Sequence, residues 1–133
     1  SLVTVQMQGW VSADENGPVS TSNPPDAPRF KPLVFKKSTQ SAAAFTLTPS
    51  TSDNAVYIDE FVWALDQKFS GQGSGGAGAA MPTFIELDNE PELGNATHRE
   101  IQGSTPMSSD GYIARTIALT MSVAGPSPIA IVG

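Results

Sequence analysis

Strand-like and helix-like periodicities alternate along this chain, and that alternation limits the fold more than any single residue does. Leu2 to Met7 is a short β-branched run with the character of a buried strand. Ile58, Phe61, Val62, Leu65 and Phe69 then repeat at helical spacing, one apolar stripe with Asp53 or Asn54 as its N-cap. A second strand covers Thr83 to Leu87. A second helix is predicted from about Ser109 to Ala124, capped by Ser108 or Ser109 and stopped by Gly125-Pro126. Its expected inward face is Ile113, Ile117, Thr120, Met121 and Ala124. Ile129 to Val132 forms a third strand. The order strand, helix, strand, helix, strand implies an α/β fold of parallel strands joined by right-handed crossovers.

Two segments stand outside that alternation. From Gly9 to about Ser52 the pattern dissolves into Pro, Ser, Thr, Asn and Gly, with one short edge strand expected at Phe45 to Thr48. A connection of that length in a compact domain is usually functional or disordered. Residues 70–80 are a Gly/Ser-rich linker. The linker precedes a strand and not a helix, so it offers no helix N-terminus to a phosphate.

Charge and cysteine usage exclude several classes of function. A net charge of −6 leaves no broad cationic surface for phosphates, so a nucleic-acid partner is not expected. Without cysteine there is neither a disulfide framework nor a thiolate metal site. A single histidine, His98, gives no support to a zinc site, and no cofactor or metal is expected. No apolar run approaches the roughly 20 residues that cross a bilayer, so no membrane partner is expected either. The chain opens on Ser1 and not Met, which fits a processed leader or an internal piece of a longer protein.

Chemistry concentrates at Asp88-Asn89-Glu90-Pro91. Pro91 cannot donate to a sheet ladder, so the strand must end before it and Glu90 sits at a strand's carboxyl end. Parallel α/β folds build their active sites at that edge. A carboxylate there suits general acid work on a glycosidic bond. Alternation along the strand puts Ile85 and Leu87 on the face that meets the helices, and Phe84, Glu86, Asp88 and, if the strand geometry persists, Glu90 on the other. The plainer alternative pairs Glu86 and Asp88 with Arg29, Arg115 or a lysine to stabilise the sheet.

Asp88-Asn89-Glu90-Pro91-Glu92-Leu93, followed by Thr97-His98-Arg99, resembles glycoside hydrolase family 44, the endoglucanases and xyloglucanases. Gly9-Trp10-Val11-Ser12-Ala13-Asp14-Glu15-Asn16-Gly17 resembles a further segment of that family, as do Phe45 to Pro49, Thr51 to Asp53 and Tyr57 to Val62, in order. The resemblance spans nearly the whole chain. It implies a segment of a (β/α)8 TIM-like barrel, with about three of its parallel strands and two of its helices. A complete barrel takes about 250 residues, so residues 1–133 would be part of a catalytic barrel with 9–52 as a catalytic-face loop. The implied chemistry is retaining hydrolysis of β-1,4-glucans, with Glu90 as acid/base and the nucleophile outside this chain. Asn89 would hydrogen-bond the sugar 2-hydroxyl. One departure is visible: Gly94 follows Leu93 where relatives often carry tryptophan.

The remaining candidates divide between site and scaffold. Trp10 either stacks on a glucosyl ring or packs the long loop, and His98 either faces the cleft or serves as a loop hydrogen-bonding group. Arg29, Lys31, Lys36 and Lys37 are expected to pin the loop against an acidic barrel mouth, and Asp59-Glu60 to lie on a solvated helix face. The expected partners are a β-glucan polysaccharide and the remainder of the barrel or a second copy of the chain, and the expected location is extracellular. Two other readings stay open: a non-catalytic carbohydrate-binding or structural fragment, and an unrelated small α/β domain with both sheet faces covered.

Overall fold

The computed structural model describes residues 2–20, 29–69, 84–88, 90–124 and 130–132. Within them, Leu2–Val5 (β1), Phe84–Leu87 (β5) and Ala130–Val132 (β6) form a parallel sheet in the order β1-β5-β6. Trp10–Ser12 (β2), Phe30–Val34 (β3) and Val56–Tyr57 (β4) form a second sheet, antiparallel between β2 and β3 and parallel between β3 and β4. Helix α1 is Ile58–Phe69, α2 and α3 are the short turns Gly94–Thr97 and Arg99–Gln102, and α4 is Ser109–Val123. The linker 70–80, Thr83, Asn89 and Ile129 lie outside the described residues.

The parallel sheet obeys the alternation expected of β5. Ile85 and Leu87 are buried, and the register sets them beside Val3 and Val5. These side chains join Met7, Ile58, Val62, Leu119 and Val123 in one core. The opposite face carries Leu2 and Thr4 beside Phe84 and Glu86. There Thr4 Oγ1 donates to Glu86 Oε2 at 2.8 Å, while Leu2 and Phe84 remain 59% and 38% exposed. A sheet with one apolar face uncovered is the opposite of what a self-sufficient small α/β domain shows.

The segment 9–52 contains more order than its composition suggests. Its strands β2 and β3 pair non-locally, and Ala13 N donates to Arg29 O at 2.9 Å just beyond their ends. Phe45 to Thr48, expected as an edge strand, is irregular; there Phe45 packs its ring 5.7 Å from that of Trp63. The basic residues do pin the segment, but not against the site. Arg29 Nε lies 2.7 Å from Asp14 Oδ2, and this guanidinium holds the half-buried Asp14 carboxyl below its usual range. Lys37 reaches Glu60, and Lys31 Nζ donates to Thr51 O. Glu60 is therefore buried and not solvated as expected. Asp59, beside it, accepts from Lys37 N; burial raises its carboxyl pKa while that bond opposes the shift.

Helix α1 begins at Ile58 directly after β4, so neither Asp53 nor Asn54 caps it. In α4 the extent and the Ser108 cap agree with expectation: Gly111 N donates to Ser108 Oγ at 3.1 Å. Ser108→Ala should lower the stability of the protein by about 1 kcal/mol, read as a lower midpoint in thermal unfolding; an unchanged midpoint would refute this capping role. The inward face of α4 differs from expectation. Ile113, Ile117 and Met121 are 55%, 54% and 74% exposed, whereas Leu119 and Val123 are buried. The inward row is Arg115, Leu119 and Val123, spaced one helical turn apart, with Arg115 Nη1 donating to Met7 O. A charged residue at its head hid this row from a search for apolar periodicity.

Candidate functional site

Parallel pairing of β1 with β5 brings their carboxyl ends to the same edge. Gln6, Met7 and Gln8 follow β1 there, and Asp88 and Glu90 follow β5. The two chain segments are tied together where they leave the sheet. Asp88 N donates to Val5 O at 2.8 Å, and Met7 N donates to Asp88 Oδ2 at 2.8 Å. Glu86 and Asp88 thus find partners in Thr4 and Met7, while Arg29 is engaged with Asp14 and Arg115 with Met7 O.

The backbone turns abruptly at the motif. Asp88 and Glu90 have φ of 60° and 48°, both in the left-handed region that side chains with a Cβ enter at a cost of about 1–2 kcal/mol. Pro91 disfavours the right-handed helical region for Glu90 and opens a 3₁₀ turn over Pro91–Leu93, in which Leu93 N donates to Glu90 O at 2.9 Å. The strand ends at Leu87, so the condition under which alternation would have set Glu90 beside Glu86 is not met. Glu90 is exposed beyond the end of the strand. Strain of this kind concentrates at functional sites.

A cavity of about 410 Å³ opens at this edge, lined by Gln6, Gln8, Asp88, Glu90, His98 and Ile101 together with Leu93 and Thr97. Its volume lies within the range of small-ligand pockets. Glu90 and His98 share it; His98 Nδ1 lies 3.4 Å from Glu100 Oε1 on an exposed ring. Trp10 is half-buried on β2, opposite Pro32, and does not line this cavity. Gln6 and Gln8 were not singled out from the sequence. Finding them needs the register of β1 on β5, which no local pattern encodes. A second hollow of about 350 Å³ lies between the second sheet and α1, but there Glu60 is tied to Lys37 and Lys31 to Thr51. The cavity at the sheet edge is the one that holds Glu90, at the carboxyl end of the parallel strands. Among the described residues, no group of three or more His, Cys, Asp or Glu side chains is placed to hold a metal ion.

The sequence profile of Glycoside hydrolase family 44 matches residues 1–132. This chain belongs to glycoside hydrolase family 44. Endoglucanase A of Paenibacillus lautus is 35% identical to it over 128 residues, which cover 96% of this chain and 17% of that protein. Among solved structures, a family 44 xyloglucanase of Paenibacillus polymyxa with xyloglucan superposes with a TM-score of 0.82 at 33% identity. The family 44 endoglucanase of Clostridium thermocellum gives 0.80 at 37% identity. Both superpositions cover 99% of this chain and 24% of the other. The family 44 chain described here thus spans about a quarter of the length of those solved relatives.

Proposed function

We propose that this family 44 chain carries the acid/base half of the active site of an extracellular endo-β-1,4-glucanase that acts on cellulose, xyloglucan or a related β-glucan. The observation that carries the reading is Glu90, exposed just past the carboxyl end of a parallel strand, in left-handed backbone, and lining a cavity there. In this role Glu90 donates a proton to the leaving glycosidic oxygen, then takes one from the water that releases the sugar. The nucleophile is a second carboxylate from a strand outside these residues, about 5–5.5 Å from Glu90 in the assembled site. Asn89 bonds the sugar 2-hydroxyl, His98 lines the cleft wall, and Trp10 serves the second sheet or a more distant subsite.

The fold that serves this chemistry is a (β/α)8 barrel of which β1, β5 and β6 are consecutive strands. Two uncovered surfaces support that reading. The Leu2/Phe84 face of the sheet corresponds to a barrel interior, and the Ile113, Ile117, Met121 row of α4 offers the rest of the barrel an apolar surface. A non-catalytic sugar-binding protein would be favoured by a salt-bridged Glu90, and Glu90 makes no salt bridge among the described residues.

The stereochemistry of the products tests the mechanism. The enzyme containing this segment, incubated with xyloglucan or cello-oligosaccharides, should release the β-anomer first, as read by proton NMR before mutarotation. First appearance of the α-anomer would mean inversion and remove the double-displacement reading. Failure to release reducing sugar from any β-glucan would remove the hydrolase reading itself.

A further inference from the structure

Parallel strands exchange evenly spaced rungs, so the register of one pair predicts the rungs that follow. With Val5 set beside Leu87, the rung past the end of β5 runs from Asp88 N to Val5 O, and it is present at 2.8 Å. The next rung would take Met7 N to the main-chain carbonyl of Asp88. Met7 N donates instead to the side chain, 2.8 Å from Asp88 Oδ2. By that point Asp88 has left the extended conformation, with φ of 60°. Its carboxylate thus replaces a main-chain carbonyl in the ladder, and the fully buried Met7 keeps a partner for its N–H. Aspartate and asparagine combine an acceptor of that short reach with tolerance of left-handed backbone. Met7 is held from its other side too, because Arg115 of α4 donates to Met7 O. A continuous run of contacts therefore leads from α4 through Met7 to Asp88, two residues before Glu90.

We propose that Asp88 is a positioning residue for the acid/base: its carboxylate, bound to Met7 N, fixes the left-handed turn that carries Glu90. The assignment rests on the hydrolase reading given above and adds to it a residue that acts through the backbone. Strand pairing no longer holds the chain where Asp88 and Glu90 take positive φ. On the far side of Glu90 the turn is closed by Leu93 N, which donates to Glu90 O at 2.9 Å. On the strand side the Asp88 carboxylate fastens it to the exit of β1. Removing that carboxylate leaves Met7 N buried without this acceptor and lets the turn shift against β1. Proton transfer tolerates little such movement, since a misplacement of about 1 Å can cost about 10²-fold in rate.

The test uses the complete enzyme containing this segment, each form assayed at its own pH optimum. Asp88→Gly removes the acceptor and keeps a residue that takes positive φ without penalty. On xyloglucan it should lower kcat about 10²-fold with KM within about 2-fold of the parent, because the turn is disturbed and not a sugar contact. Asparagine offers Met7 N an amide oxygen in place of the carboxylate, so Asp88→Asn should recover most of that loss. A purely structural role predicts equal losses on every substrate. Dinitrophenyl β-cellobioside separates the two, since its leaving group departs without protonation and its kcat/KM reports glycosylation alone. Asp88→Gly should keep that kcat/KM within about 3-fold of the parent, because the step needs no general acid. Equal losses on the two substrates would reduce Asp88 to a fold-stabilising residue and overturn the assignment. A raised KM with parent kcat would make it a direct sugar contact and overturn the assignment equally. Should Asp88→Gly fail to fold, Asp88→Asn decides: near-parent kcat on xyloglucan upholds the hydrogen bond, and a loss of about 10²-fold overturns it. Glu90→Gln distinguishes this assignment from the reading beneath it. If that variant turns over xyloglucan like the parent, both fall; if it is impaired and Asp88→Gly is not, only this assignment falls.

Discussion

Replacing Glu90 by glutamine in the complete enzyme should lower kcat on a natural β-glucan by about 10²- to 10⁴-fold, the range that general acid–base catalysis contributes. Glutamine keeps the volume and the hydrogen-bonding reach of the side chain, so Tm should not change: residue 90 is exposed and its backbone is held by Pro91 and the Leu93 N–H. What glutamine cannot do is give up a proton to the leaving oxygen. Loss should therefore depend on the leaving group. An aryl glycoside with an acidic phenol departs without protonation, and its glycosylation step should survive the substitution. For that substrate the slow step becomes deglycosylation, where water has lost its base. Added azide, a nucleophile that needs no deprotonation, should then restore turnover and yield a glycosyl azide. A Glu90→Gln enzyme with wild-type kcat on xyloglucan would remove Glu90 from the mechanism.

The part of this site that was legible in the sequence is the part written in local backbone chemistry. Pro91 marks the end of a strand wherever the strand lies, and it therefore located Glu90 at a sheet edge before any pairing was known. The left-handed backbone at Asp88 and Glu90 was not legible, because neither residue type prefers that conformation strongly enough to announce it. Gln6 and Gln8 enter the cavity only because β1 pairs in parallel with β5, a contact separated by about eighty residues in the register Leu2 to Phe84. The second sheet escaped for the same reason. Its strands are two to five residues long, one contains Pro32, and their partners are far away in sequence, so no periodic signal accumulates. Helix α4 illustrates a third limit. Its start followed from Ser108, while the Gly125-Pro126 stop lies outside the described residues, and its inward face is headed by Arg115, whose guanidinium donates to the Met7 carbonyl. Apolar periodicity cannot recognise a buried row that begins with a charge.

The largest effect on stability is expected at Lys37 and Glu60, whose side chains are 5% and 6% exposed with Nζ 2.6 Å from Oε1. This pair fastens the irregular stretch after β3 to the first turn of α1. Lys37 Nζ also donates to Ala44 O at 3.1 Å and sits 5.4 Å from the centroid of the Tyr57 ring, and Thr46 N donates to Glu60 Oε1 at 2.9 Å. Glu60→Ala would leave an ammonium group buried with one carbonyl and an aromatic face for company. Stranding one member of a buried pair typically costs about 3–5 kcal/mol. The variant should therefore unfold at a markedly lower urea concentration with an unchanged slope. The pair is expected to matter for register more than for net stability, because desolvation offsets most of its Coulomb attraction. Lys37→Met with Glu60→Gln removes both charges and keeps an acceptor for Thr46 N, so the double variant should recover most of what Glu60→Ala loses. Full recovery would make Lys37 and Glu60 a device for docking the 37–46 segment on α1 in one position. A Glu60→Ala midpoint equal to that of the parent enzyme would instead show that the segment is held by the Asp59 carboxylate on Lys37 N alone.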